Sequence, residues 1–166
     1  MDLFQIIIRA VQFLWTLLIT ALIGNVMASN RNGHMKGLNF TMFVAALSWI
    51  SLIYGFVAAF VESFAIPIAM LILDGLTALF TFINAIVLAA LLGGVNCSNF
   101  SHKGSGWIGF GSSNTEKRCR EIQASTAFMW FLWVTVSAAL ALAFMSFRRI
   151  SVGGRSSNQH MSQVRV

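Results

Sequence analysis

Charge is what this 166-residue chain has least of. Only 10% of its residues are Asp, Glu, Lys or Arg, against about 25% in a soluble domain. That scarcity excludes a water-soluble enzyme, a disordered chain and a nucleic-acid-binding domain of ordinary composition. A single Pro excludes a proline-rich linker, and two Cys exclude a disulfide-dense scaffold. The three His, His34, His102 and His160, are scattered too widely to suggest a metal site, so neither metal nor cofactor is expected. What is present is apolar: 57% of the residues, with a mean hydropathy of +0.77. A single domain of this length cannot hide that much apolar surface from water. The net charge of +6 therefore points to anionic lipid rather than to nucleic acid.

The positions of the few charges define the architecture. None falls between Arg9 and Arg31, between Gly37 and Val61, or between Ile122 and Phe147, and Asp74 stands alone between Ser63 and Cys97. A spanning helix needs about 20 apolar residues. The pattern thus predicts an all-α membrane protein, a four-transmembrane-helix bundle with spans near residues 3–27, 38–61, 64–95 and 122–147. These make a transmembrane domain over 1–147, followed by a basic tail, 148–166, whose Ser and Arg content reads as disordered. The third span is longer than a crossing requires, which implies tilt or projection. Loop one (28–37) carries a turn-prone Asn32-Gly33. Loop two, around Glu62 and Ser63, is short enough to force a helical hairpin. Loop three (96–121) is the only long one. Asp2 and Arg9 make the first span unlike a cleaved signal peptide.

Four spans place both termini on one side. The positive-inside count does not choose that side: Arg148, Arg149, Arg155, Arg165 and Arg9 stand against Arg31, Lys36, Lys103, Lys117, Arg118 and Arg120. Cysteine decides instead. Cys97 and Cys119 close the two ends of loop three, and a bridge there belongs in an oxidising compartment; two free cytosolic thiols are the alternative. Two Asn-x-Ser acceptors, at Asn96 and Asn99, lie in the same loop. Both features put loops one and three outside and the termini in the cytosol.

Within the spans, Arg9 and Asp74 are the only opposite charges at similar depth, about 9–15 Å from the cytosolic side. Such charges are costly in a bilayer and are expected to pair, with Glu62 as the competing partner for Arg9. Gln5, Arg9, Gln12, Thr16, Thr20 and Gly24 recur on one face of helix one. Small residues recur in helix three (Thr77, Thr81, Ala85, Ala89, Gly93), in helix two (Ser51, Gly55, Ala59, Ser63) and in helix four (Thr135, Ala139, Ala143). They suit close helix packing. The alternative is a polar path for protons or ions through Arg9, Gln12, Asp74 and Asn84. The segment Gly104-Ser105-Gly106-Trp107-Ile108-Gly109 matches G-x-G-x-x-G, but without a βαβ unit it reads as a flexible loop whose Trp107, Ile108 and Phe110 touch the membrane or the bundle. A lone carboxylate does not make an acid–base pair, so no enzyme is expected. Arg148, Arg149 and Arg155 are candidate contacts for anionic headgroups at about 1 kcal/mol each.

Four spans with a two-cysteine second external loop resemble the MARVEL fold. The run Leu73-Asp74-Gly75-Leu76-Thr77-Ala78-Leu79-Phe80-Thr81-Phe82 is similar to the fungal branch called non-classical export proteins. So are Arg118-Cys119-Arg120 with the following Gln123-Ala124 and Phe128–Phe131, and the Ser162-Gln163-Val164 ending. The tail is shorter and loop three richer in Gly than in that branch. The claudin and tetraspanin cysteine patterns are missing. The resemblance implies a plasma-membrane protein of eisosome-like furrow domains. It implies a role in organising them, a response to sphingolipid status and a historical link to unconventional secretion; a response to sterol or curvature and recruitment of coat proteins by the cytosolic Arg cluster are further expectations. A homo-oligomer joined through small-residue faces is a further expectation. A small channel or proton-linked carrier using Asp74, or a component of an export route, are the alternatives.

Overall fold

A computed structural model describes residues 3–31, 33–60, 66–94, 96–99 and 101–156. Four helices account for most of them: α1 (Leu3–Ala28), α2 (Lys36–Phe60), α3 (Pro67–Leu92) and α4 (Thr115–Ser156). All four contain stretches long and apolar enough to cross a membrane, and the described residues contain no strand beyond one isolated bridge, Asn96 to Asn99. α1 packs on α2, α2 on α3, α3 on α4, and α4 closes back on α1, while the backbones of the diagonal pairs, α1 with α3 and α2 with α4, stay apart among the described residues. The bundle is therefore a four-membered ring, and a central polar side chain can reach its diagonal partner.

Local chemistry moves the helix ends away from the charge boundaries. α3 begins at Pro67, after an extended Ile66, because proline's fixed φ and missing N–H suit a first helical turn. It stops at Leu92, short of 95, because Gly93 takes a positive φ of 60° and its N–H donates to the Ala89 carbonyl. α4 starts at Thr115, not at 122: the Asn114 side chain accepts from the Lys117 N–H at 3.0 Å, and Glu116 sits in the first turn. The same helix runs on to Ser156. The boundary at 147/148 is thus crossed by one continuous helix, and residues 148–156 are helical rather than disordered. Charge ends an apolar span but does not end hydrogen bonding along a helix. Residues 157–166, with Arg165, lie outside the described residues.

Ile19, Ile23 and Val26 of α1 meet Leu38 and Val44 of α2, Ala85 and Leu88 of α3, and Ile122, Met129 and Leu132 of α4 in the core. The outward side chains are equally apolar; Ile53, Ile72, Leu79 and Val134 are all more than half exposed. This is the surface of a protein solvated by acyl chains. Of the small-residue series, Ser51, Gly55, Thr77, Thr81 and Ala85 face inward. Ala89 does not: it is exposed, and Gly93 is the half-buried helix cap. A spacing of four turns about 40° past a full circle at each step, so a long series drifts off the face, and Leu88 and Leu92 are buried in its place. Ala59 has no described side chain, and Glu62 and Ser63 lie outside the described residues.

Candidate functional site

Helix one supplies its interior face at intervals of three and four. Arg9, Gln12 and Thr16 are buried, and Gln5, Thr20 and Gly24 are half-buried beside them. The ring of helices brings Arg9 onto Asp74 of α3 in a bidentate ion pair: Nη1 donates to Oδ1 at 2.8 Å and Nη2 to Oδ2. Both side chains are almost wholly withdrawn, at 5% and 1% exposed. The remaining bonds recruit the other helices. The Ser51 hydroxyl of α2 donates to Asp74 Oδ1 at 2.7 Å. Arg9 Nη1 also donates to Gln12 Oε1 at 3.2 Å, and Gln12 Nε2 donates to the Thr135 carbonyl of α4 at 3.0 Å.

Gly55 makes the pair possible. A Cβ at that position would stand 2.9 Å from Arg9 Nε and 3.1 Å from Cζ, so the guanidinium lies against bare backbone. Beside Arg9, toward the start of α3, is a cavity of about 20 Å³ lined in part by Gln5, Met70 and Ala143, room for a single water. Thr77, Thr81, Thr16 and Ser48 turn their hydroxyls back onto their own helix carbonyls. What the bundle holds is a neutralised pair. Acid–base catalysis instead uses two carboxylates tuned apart.

At the opposite end, Cys97 and Cys119 form a disulfide across 22 residues. Next to it is a residue whose burial the sequence reading does not foresee. Arg118, counted there among the outer basic residues, is 1% exposed. Its Nε donates to the Ile108 carbonyl at 3.1 Å. Its Nη1 donates to Asn30 Oδ1 at 2.8 Å and to the Val26 carbonyl at 3.4 Å, so one side chain ties loop one, loop three and the end of α1 together. Its Nη2 is buried without a partner. The signal that could have found it is its position in the first turn of a capped helix, beside a cysteine.

The glycine-rich segment is not a loose loop. Trp107 is buried and donates to the Leu92 carbonyl at 2.9 Å, satisfying the frayed end of α3. Ile108 is 3% exposed. Gly111, at φ 111°, lies directly against Gly33, leaving no space for a Cβ, and the Arg31 N–H donates to the Gly111 carbonyl at 2.7 Å.

Asn96 and Asn99 are exposed. Among the described residues no group of His, Cys, Asp or Glu converges as a metal ion requires. Arg148 is exposed, with its guanidinium 5.8 Å from the centre of the Phe144 ring. Arg149 and Arg155 continue α4, and their side chains lie outside the described ones.

A ring of four apolar helices with a disulfide-closed loop at one end has a counterpart among known families. The family described as MARVEL, a membrane-associating domain, matches residues 2–145. The chain belongs to the MARVEL family. Within that family it is similar to Non-classical export protein 2 of Saccharomyces cerevisiae, with 32% identity over 162 residues, 96% of this chain and 90% of that protein. It is also 33% identical over 150 residues to Non-classical export protein 2 homolog 1 of the same yeast, covering 90% of this chain and 80% of that one. Non-classical export protein 102 of Candida albicans is 34% identical over 154 residues, 92% and 89% of the two chains. No solved structure matches this MARVEL chain.

Proposed function

We propose that this MARVEL protein is a non-enzymatic organiser of plasma-membrane microdomains of the eisosome type. In this reading it responds to sphingolipid or sterol content and to curvature. Loops one and three are extracellular, the termini are cytosolic, and coat proteins are reached from the tail side. The observation that carries the reading is a contrast within one bundle. The interior is locked by a four-helix polar network around Arg9 and Asp74, while many of the described outward side chains along the spans are large and apolar. A bundle of fixed shape with an apolar exterior imposes that shape on its lipids. The disulfide supports the sidedness, because such bonds persist in oxidising compartments. With the termini cytosolic, Arg148, Arg149 and Arg155 meet the anionic inner leaflet.

The test is quantitative imaging of the full-length protein in its own plasma membrane during sphingolipid or sterol depletion. Redistribution between furrow-like domains and the surrounding membrane is expected. Replacing Arg148, Arg149 and Arg155 by Gln should weaken binding to vesicles containing anionic lipid and loosen domain placement. A uniform distribution that ignores both lipids would refute the reading. The printed names of the yeast and Candida relatives favour a second reading, a part in non-classical export, which cargo crosslinking in intact cells would test. A carrier using Asp74 has the Arg9 ion pair against it, since the carboxylate is already neutralised.

A further inference from the structure

The two ends of the Cys97–Cys119 bridge do not meet the solvent alike. Cys97 is 6% exposed and Cys119 is 0% exposed. The difference in area is small, but it has a direction. Cys97 lines an open groove of about 390 Å³ together with Asn96, Ser98, Arg120 and Gln123, and Cys119 does not. Gln123 marks the groove side of the sulfur, with its Oε1 3.6 Å from Cys97 Sγ. Asn96, Ser98, Arg120 and Gln123 are all exposed, so the groove opens to water at the loop-three end of the bundle. Exchange of a disulfide needs a thiolate that can reach the sulfur it attacks. Here only the Cys97 end can be reached.

The buried end suits departure. Cys119 would leave as a thiolate, and a thiolate away from water needs a positive neighbour. Arg118 precedes it in α4, is equally withdrawn, and has one guanidinium nitrogen, Nη2, without a partner. The groove also has a charge of its own. Among the described residues that line it, Arg120 alone is charged. Glu116, which accepts from Arg120 Nη2 at 2.6 Å, lines a different depression, one that reaches Leu22 of α1. The groove thus presents a guanidinium without its acid.

We propose that Cys97 is a thiol-exchange site, and that its reactant is a small thiol bearing a carboxylate. The carboxylate lies against Arg120 while the thiolate attacks Cys97 Sγ. A bond forms between the incoming sulfur and Cys97, the Cys97–Cys119 bond breaks, and the electron pair leaves on Cys119. A second thiolate then attacks the incoming sulfur, frees Cys97 as a thiolate and departs as the small-molecule disulfide. The bridge has then gained two electrons and the thiols have lost them. Opening it releases the start of α4 from loop three. The Arg118 tie to Asn30 and Ile108 loosens with it, so the site works as a thiol-operated release for both loops. The proposal stands apart from the lipid-organising reading.

The test uses full-length protein in bicelles, where both faces are accessible. It is treated briefly with mercaptoacetate, quenched with an alkylating agent and mapped by peptide mass. Mercaptoacetate should be found on Cys97 and the alkyl group on Cys119, in excess over the reverse by about tenfold. At equal thiolate concentration, mercaptoacetate should react faster than cationic cysteamine by about two- to fivefold, and Arg120→Gln should abolish that preference. Proteolysis of loops one and three should accelerate once the bridge is open. A bridge that resists both thiols until the protein unfolds would overturn the proposal. So would mercaptoacetate found on Cys119, or on the two cysteines equally. A rate that ignores the charge of the thiol, or a preference that survives Arg120→Gln, would overturn the groove as the place where the thiol binds.

Discussion

Arg9 and Arg118 are withdrawn from solvent to a similar degree, 5% and 1% exposed, yet only Arg9 meets a carboxylate. Arg9 lies about two turns into the first span. There a lone charge costs several kcal/mol, and Asp74 answers it with two parallel bonds that a planar guanidinium is shaped to make. Arg118 lies in the first turn of α4 and spreads its charge over two carbonyls and one side-chain amide. Neutral acceptors suffice near the boundary, where Glu121 stands one turn away. Deep in the span they would not, because neutral acceptors leave the charge itself uncompensated in a medium where it costs several kcal/mol. The inner arginine therefore locks helices to one another, and the outer one locks loops to the helix ends.

That contrast can be broken most severely at Asp74. Asp74→Asn keeps the shape but leaves Arg9 uncompensated, and about 3–5 kcal/mol of stability should be lost, read as a lowered midpoint of denaturant unfolding in micelles or bicelles. The double replacement Arg9→Met, Asp74→Leu should recover most of it. If Asp74→Asn were as stable as the parent, the inner lock would not exist. Next in size is the outer bridge: Cys97→Ser with Cys119→Ser should cost about 3 kcal/mol by freeing a 22-residue loop, and a reductant should reproduce the loss.

Arg118→Leu should cost less, about 1–3 kcal/mol. Its effect should be confined to loops one and three, seen as faster proteolysis there while protection of the spans is unchanged. A loss matching that of Asp74→Asn would erase the distinction between the two arginines. Smallest is Gly55→Ala, about 1 kcal/mol from pressing a methyl against the guanidinium. That cost should shrink when Asp74→Asn has already unlocked Arg9, which a double-mutant cycle measures directly.

Much of this was legible without a structure. Three charge-free stretches and a fourth holding only Asp74 required four spans, since no other arrangement satisfies that much apolar surface. Cys97 and Cys119, alone in the chain and at two ends of one loop, suggested their own bridge. Arg9 and Asp74, alone at membrane depth, had few partners to choose from. Illegible were the features that depend on how helices turn and where loops fall. Ala89 belongs to the right spacing but the wrong angle. Arg118 looks like its exposed neighbour Arg120, and only the fold of two loops around it withdraws it from water. Trp107 sits in a glycine-rich stretch whose composition suggests slack, yet a helix end waiting for a donor holds it down.

Composition and the sparse charges thus determined the solvent, the number of spans and the short list of groups that could not remain alone in a bilayer. These are transfer free energies, which belong to residues wherever they are placed. Tertiary structure alone decided that Asp74 has Arg9 and Ser51 as partners, that Gly55 is where the guanidinium rests, and that Arg118 can do without a carboxylate. Each of these is a question of which groups lie within about 3 Å of one another, and only the closed ring of four helices fixes that.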